Sequence, residues 1–167
     1  MKHLFCSIYM KTTIMEQKNI IKETIKTLVS EVLNEAKNDV SPHQNIGFSI
    51  NIEKETFKNT NYRKVLYTTP HNQLVVMSLK PKEDIGFEVH KKTAQFIRVE
   101  SGNGKAIIGE KEYSIKDGFS IIIPAGVKHN IINTSKTDEL KLYTVYSPGT
   151  HPDGIVEKNK SDEKEEE

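Results

Sequence analysis

GFSIIIPAGVKHNIIN, at residues 118–133, is the stretch that decides how this chain folds. Its β-branched apolar run predicts a buried strand. The Pro-Ala-Gly sequence that follows predicts a tight turn, because proline fixes φ and glycine admits positive φ. His129 comes just after that turn, at the start of the next strand. The stretch therefore predicts an imidazole held at a fixed point inside a β-sheet.

A second polar cluster lies upstream, at residues 86–102, which read GFEVHKKTAQFIRVESG. Glu88 and His90 are two residues apart in it. Side chains alternate between the two faces of a strand, so this pair is predicted to point the same way. Gln95 is predicted on the apolar face of the following strand. Together with His129, the two segments can direct a carboxylate, two imidazoles and an amide oxygen to a common point.

At these positions the chain resembles the cupin superfamily, and specifically the small single-domain cupins of the type-2, RmlC-like jelly-roll group. The pattern G-x5-P-x-G-x2-H-x3-N of the second cupin motif matches at each fixed position. In the first motif, His90 takes the second histidine position, but Glu88 stands at the first. Gln95 and Lys82 stand where that motif usually has glutamate and its leading glycine. The resemblance covers about residues 47–156 and implies a double-stranded β-helix jelly roll, the cupin barrel.

The resemblance also implies a site for one divalent metal ion, with the four ligands Glu88, His90, Gln95 and His129. A usual cupin set has one carboxylate and three imidazoles; here the carboxylate has changed position and Gln95 replaces an imidazole. Two imidazoles and a carboxylate suit Fe(II), Mn(II), Zn(II) or Ni(II), and the order of affinities does not choose among them. The alternative is a polar interior whose groups bond only to one another and to water.

The rest of the chain predicts an all-β domain preceded by one helix. Residues 1–45 are predicted to be an N-terminal extension with an amphipathic α-helix at about 16–38, because apolar residues recur there at helical spacing. Residues 46–156 are predicted to form the cupin domain, and residues 157–167 a disordered charged tail. Short strands at regular spacing are expected at Gly47–Ile52, Tyr62–Thr68, Gln73–Leu79, Gly86–His90, Gln95–Glu100, Lys105–Ile108, Glu112–Ile115, Phe119–Ile123, His129–Asn133 and Leu140–Tyr146.

Several polar side chains outside the motifs are candidates for the pocket. Tyr67, Tyr143 and Tyr146 are predicted to bind substrate through their hydroxyl groups, although tyrosines in a β-sandwich also serve as packed rings. His71 and His151 lie beside prolines and are expected at the surface. Asn133 closes the second motif and is expected to hold a turn.

Composition limits the classes of function. The chain has 167 residues, a formal net charge of +1 and a single cysteine, Cys6. We expect no nucleic-acid partner, because no basic stripe or set of stacking aromatics is present. No segment has the roughly 18 apolar residues of a membrane span, so we expect no membrane partner and a cytoplasmic protein. The helix stripe and the outer sheet face, which carries Phe96, predict a homodimer.

Two classes of function fit these residues. In the first, the chain is a metal-dependent enzyme, isomerase-like or oxygenase-like, acting on a small polar or sugar-like substrate at open metal positions. In the second, the same site binds a small molecule or metal without turnover, as a sensor or accessory module. The fold serves both classes, so the sequence leaves the substrate and the reaction open.

Overall fold

The computed structural model describes residues 15–30 and 47–163 of the chain. Residues 15–30 form the helix α1, which belongs to a separate compact unit from the β domain. The helix predicted at about 16–38 is thus present from residue 16 to residue 30, and residues 31–38 lie outside the described ranges. Within those ranges, no helix is both long and apolar enough to cross a membrane.

The β domain consists of two antiparallel sheets, and its elements follow one another with short connections. They are α2 (Ile52–Lys58), β1 (Arg63–Thr68), β2 (Gln73–Leu79), β3 (Ala94–Ser101), β4 (Asn103–Ile108), β5 (Lys111–Lys116), β6 (Ser120–Ile123), β7 (His129–Asn133), β8 (Leu140–Ser147), β9 (Val156–Glu157) and a 3₁₀ helix (Lys160–Asp162). The larger sheet has the order β6-β3-β8-β2-β1-β9 and the smaller one β5-β4-β7. The predicted all-β jelly roll with an N-terminal helix is confirmed.

Alternating apolar side chains of both sheets form one core. In β3 the buried positions include Ile97 and Val99, and in β8 they include Leu140 and Leu142. The smaller sheet contributes side chains such as Ile131 to the same cluster. Each such side chain contributes about 1.5–3 kcal/mol when it leaves water, so this core fixes which face of every strand points inward.

Two of the expected strands are wrong. Residues 47–50 are not in a strand, and Asn51 instead begins α2 by accepting a hydrogen bond from the amide of Lys54 at 2.9 Å, as a helix N-cap does. Residues 86–90 do not form a continuous strand, and Glu88 makes a single isolated bridge to His129 of β7. Gly86 has a φ of +86°, which breaks the extended backbone there.

The charged tail predicted to be disordered from residue 157 is ordered through Glu163. Val156 and Glu157 pair with β1, and the 3₁₀ helix follows them. The physical reason is Arg63, whose guanidinium lies 2.8 Å from a carboxylate oxygen of Glu157 and 2.7 Å from one of Glu163. A buried cation needs such partners, and it finds them in the acidic end of the chain.

Asn133 holds a turn, as expected. Its amide nitrogen donates to the backbone oxygens of Leu79, Lys80 and Asp138 at 2.8–3.0 Å. Its side-chain oxygen accepts a hydrogen bond from the amide of Ser135 at 2.9 Å. This wholly buried side chain therefore fixes the end of β7 against β2 and the loop that precedes β8.

Candidate metal centre

Backbone hydrogen bonds hold the two motif segments, residues 86–102 and 118–133, next to each other. The backbone amide of Glu88 donates to the carbonyl oxygen of His129 at 2.9 Å, and the backbone amide of His129 donates to the carbonyl oxygen of Glu88 at 3.0 Å. Gly126, in the Pro-Ala-Gly turn, donates its amide hydrogen to the carbonyl of His90 at 2.8 Å. The turn that the sequence predicts therefore serves two histidines, since it precedes one and holds the backbone of the other.

Three of the four predicted ligands meet at this point. Glu88 Oε2 lies 3.2 Å from His90 Nε2 and 3.8 Å from His129 Nε2. The three potential ligand atoms all lie within 4.8 Å of one another. An ion bound about 2 Å from each ligand atom holds those atoms roughly 3–4 Å apart, and both measured distances from the carboxylate fall in that range.

His129 is prepared as a ligand by its own neighbours. Its ring is wholly buried, and Nδ1 lies 3.0 Å from the carbonyl oxygen of Val127. A carbonyl only accepts, so Nδ1 carries the hydrogen and Nε2 keeps a free lone pair. That Nε2 has no hydrogen-bond partner among residues 15–30 and 47–163. A backbone carbonyl behind a histidine is a common support for a metal-bound imidazole.

Gln95 lies on the interior face of β3, where the sequence predicts it. Its Nε2 donates to Thr144 Oγ1 on β8 at 3.1 Å, and the side chain is only 2% exposed. The remaining atom, Oε1, is buried and has no hydrogen-bond partner in the described part of the chain. Tyr146 is its cross-strand neighbour, and the ring of Tyr146 meets that of His90 edge-on at 5.5 Å. Gln95 is thus the strand neighbour of a ring that contacts His90, and its carbonyl oxygen has no hydrogen-bond partner among the described residues.

Electrostatics favour an ionised Glu88 and a neutral His129. Burial acts to raise the pKa of Glu88, but the hydrogen bond from His90 and the nearby charge of Arg63 outweigh it and hold the pKa below its usual value. Burial lowers the pKa of His129, against smaller opposing effects of Val127 and Glu88. An ionised carboxylate beside a neutral imidazole is the form that a divalent cation requires.

A cavity of about 770 Å³ opens onto the triad. Glu88 and His90 lie in its wall, which also contains apolar and charged side chains that the motifs do not include. The apolar ones include Ile85, Phe87 and Ile155. The volume is in the range of small-molecule sites, and apolar walls with a few convergent polar groups are typical of them.

The cavity also contains charged residues that the sequence reasoning missed. Arg63 is 2% exposed, and its Nη2 lies 3.7 Å from Glu88 Oε1. Glu157 and Glu163 hold the same guanidinium. The alternation of side chains along β1 could have predicted a buried Arg63, because Arg63 is two residues from the buried Val65 and shares its face.

His151 lines the cavity too, although it was expected at the surface. The side chain of Gln73 holds its backbone, since Nε2 donates to the His151 carbonyl at 2.7 Å and Oε1 accepts from the His151 amide at 3.1 Å. Its ring meets that of Tyr146 edge-on at 5.0 Å. Burial, assisted by the charge of Arg63, lowers the pKa of His151 to about 3, so this imidazole is neutral at physiological pH.

The three predicted substrate-binding tyrosines lie in different places. Tyr146 is buried and contacts His90 and His151. Tyr143 is on the opposite face of β8, where its ring lies 6.1 Å from that of Phe96. Tyr67 follows a bulge in β1 and stacks on Phe48 at 4.8 Å. The structure brings only Tyr146 of these three tyrosines to the triad.

Fold and site together define a β jelly-roll protein with a candidate metal centre inside it, and comparisons with known proteins give the family. Residues 75–146 match the family model described as Cupin domain. Protein L612 of Acanthamoeba polyphaga mimivirus is 50% identical over 118 residues, which cover 69% of this chain and 74% of L612. The chain belongs to the cupin family.

Two bacterial proteins are also similar. YrkC of Bacillus subtilis (strain 168) is 40% identical over 121 residues, which cover 69% of this chain and 64% of YrkC. This chain therefore spans somewhat less than two thirds of the length of YrkC. The crystal structure of BH2720 from Bacillus halodurans superposes with a TM-score of 0.69 at 39% identity, over 74% of this chain and 97% of that one.

Proposed function

We propose that this cupin binds a divalent metal ion through Glu88, His90, His129 and Gln95, and that it is a metal-dependent enzyme for a small polar substrate. One observation carries the proposal: a wholly buried imidazole nitrogen, His129 Nε2, lies 3.8 Å from the Glu88 carboxylate and has no hydrogen-bond partner among the described residues. A buried polar atom without a partner is costly, and a bound cation satisfies it.

The chemistry of the ligand set agrees with this proposal. Two neutral imidazoles and one carboxylate leave coordination positions open in Fe(II), Mn(II), Zn(II) or Ni(II) sites. Gln95 Oε1, which has no hydrogen-bond partner among the described residues, is the fourth ligand of this proposal. A cation held there would act as a Lewis acid on a carbonyl or hydroxyl group of a bound molecule.

The protein residues contribute binding and orientation. Glu88 contacts both histidines and approaches Arg63, so it couples the metal ligands to the charged part of the cavity. His151 is neutral and can exchange hydrogen bonds with a ligand without adding charge. Ile85 and Ile155 supply an apolar part of the cavity wall.

Elemental analysis of the full-length protein, purified without chelator and then dialysed against each of the four metals, tests the proposal. We expect about one metal per chain in the wild type and a large loss in His90→Ala and His129→Ala. His71→Ala is the matched control, because His71 is an exposed histidine in a turn. Equal metal content in wild type and all three variants, with circular dichroism spectra unchanged, refutes the proposal.

Binding without turnover is the second candidate function, and one observation favours it. The cavity imidazole outside the triad, His151, has a pKa of about 3 and is therefore a weak base. Incubation of metal-loaded protein with sugars, sugar phosphates and hydroxy acids, followed by proton NMR, separates the two. New product resonances identify an enzyme, whereas saturable line broadening of an unchanged compound identifies a binding protein.

A further inference from the structure

The guanidinium of Arg63 lies near three carboxylates, those of Glu88, Glu157 and Glu163. It is 2% exposed and lines the cavity at the end of the triad that Glu88 occupies. Arginine presents five N–H donors in a fixed plane, with one pair on the edge formed by Nε and Nη2. What each edge binds therefore determines what the cavity can accept.

The two carboxylates on Arg63 are held in different ways. Glu157 binds Nη1 at 2.8 Å, is 5% exposed and pairs with Arg63 itself across β1 and β9. Glu163 places one oxygen 2.7 Å from Nη2, and its side chain is 29% exposed. Glu163 comes just after the 3₁₀ helix, whose start is tied down where Asn159 and Asp162 bond to each other. The Glu163 side chain can therefore leave Arg63 without any change in β9.

Glu163 binds only one of the two donors on the Nε–Nη2 edge of Arg63. Arg63 Nε is buried and has no hydrogen-bond partner within residues 15–30 and 47–163. A carboxylate bound side-on takes Nε and Nη2 together, one oxygen on each, and this two-point contact is stronger than the single contact of Glu163. The unpartnered Nε thus marks a position for an anion that no residue of the described ranges fills.

We propose that Arg63 is the carboxylate-binding residue of this cavity, that its ligand is a small carboxylic acid, and that Glu163 occupies the place of this ligand when the cavity is empty. Nη2 lies 3.7 Å from Glu88, which in turn contacts both histidines. The guanidinium and the triad are thus close enough for one compact molecule, such as a hydroxy acid or a short dicarboxylate, to reach both. Only this link to the metal rests on the function proposed above.

The chain offers an internal control for a direct test, because Arg63 and Arg98 are its only arginines. Arg98 is 42% exposed on the outer face of β3 and pairs with Glu100 at 3.1 Å. In ¹⁵N-labelled full-length protein, the Nε–H resonances of the two arginines can be followed separately. The probe is succinate, with its neutral diamide succinamide as the matched compound, each added with chelator and again with Zn(II).

We expect succinate to shift the Arg63 Nε–H resonance saturably, and to leave Arg98 unchanged. Succinamide should shift neither resonance. Glu163→Gln removes the competing charge and should tighten succinate binding about fivefold, the worth of a partly exposed ion pair. Glu112→Gln removes the same charge from an exposed site in β5 and should leave the affinity as in wild type.

Two results overturn the inference. One is a failure of succinate to move the Arg63 resonance in either wild type or Glu163→Gln, with or without Zn(II). The other is equal affinity for succinate and succinamide. Failure of Zn(II) to bind, with a persistent response of Arg63 in chelator, refutes the proposed metal function and leaves the carboxylate site standing.

Discussion

Glu88 and His129 contact each other through both their backbones and their side chains. Their backbones exchange two hydrogen bonds, at 2.9 and 3.0 Å, and their side chains approach to 3.8 Å. The backbone pairing fixes how far apart the two side chains begin, in the way that a bridged pair does in any antiparallel ladder. The backbone pairing does not depend on either side chain, so a substitution of Glu88 or of His129 leaves these two hydrogen bonds available.

Glu88→Gln is the first change that follows from this pairing. Glutamine keeps the shape and the backbone bonds but removes the charge that attracts a cation. We expect an unchanged circular dichroism spectrum and at least a tenfold weaker affinity for Zn(II), measured by calorimetry, because the remaining ligands are neutral. Glu112→Gln is the charge-matched control, and an affinity equal to wild type in Glu88→Gln would contradict the metal assignment.

Thr144→Val tests the support of Gln95. The hydroxyl of Thr144 is buried and accepts the Gln95 amide hydrogen at 3.1 Å, and valine fills the same space without accepting it. A buried amide donor left unpaired costs about 1–3 kcal/mol, so we expect the free energy of unfolding in urea to fall by that amount. Thr137→Val, at an exposed turn, should change it by less than about 0.5 kcal/mol. A similar small effect at both positions would show that Gln95 does not need Thr144.

His151 makes the metal-free protein sensitive to acid. Its pKa is about 3 in the fold, through burial and the charge of Arg63, against about 6.5 in the unfolded chain. The fold favours the neutral ring, so its contribution to stability is complete above pH 6.5 and declines as the pH falls toward 3. The unfolded chain takes up a proton in that window, at up to about 1.4 kcal/mol per pH unit.

The measurement is urea unfolding in chelator at pH 7.5, 6 and 5. Wild type should lose about 2 kcal/mol from this group by pH 5, and His151→Gln should show a correspondingly smaller loss. His129, whose pKa burial also lowers, contributes in the same direction and remains in both proteins. His71→Gln should follow the wild type, and an equal pH dependence in His151→Gln would contradict the buried neutral state.

The triad could be predicted from sequence because its determinants are local. Glu88 and His90 are two residues apart, and His129 follows a turn whose proline and glycine can be recognised. The interior face of Gln95 also follows from the alternation along β3, where Ile97 and Val99 share it. Period-two patterning and turn chemistry act over a few residues, so the sequence alone contains them.

The charged side of the cavity could not be predicted in this way. Arg63 and Glu163 are 100 residues apart, and the tail around Glu163 has the composition of a disordered segment. What orders it is a buried cation elsewhere, which composition does not reveal. The wrong strand at residues 47–52 has a different cause. Asn51 followed by Glu53 and Glu55 is a typical helix start, but the apolar residues before it favoured a strand. The metal, the homodimer and the cytoplasmic location stay predictions.

Lys82 explains a departure from the family motif and gives the last prediction. It stands at the leading glycine position of the first motif and has a φ of +67°, a conformation that glycine adopts freely and other residues at a cost of about 1–2 kcal/mol. Its Nζ donates to the carbonyl of Thr134, which offsets part of this cost. Position 82 thus has a backbone conformation that favours glycine, although the residue is lysine.

Lys82→Gly and Lys82→Ala both remove that hydrogen bond, but only glycine relieves the backbone. We expect the free energy of unfolding in urea to be about 1 kcal/mol higher for the glycine variant than for the alanine variant. This difference does not depend on how stable either variant is relative to the wild type. The comparison isolates the backbone because the two variants differ by one methyl group. Equal stability, or a more stable alanine variant, would show that residue 82 does not have positive φ in solution and that the turn before Glu88 is built differently.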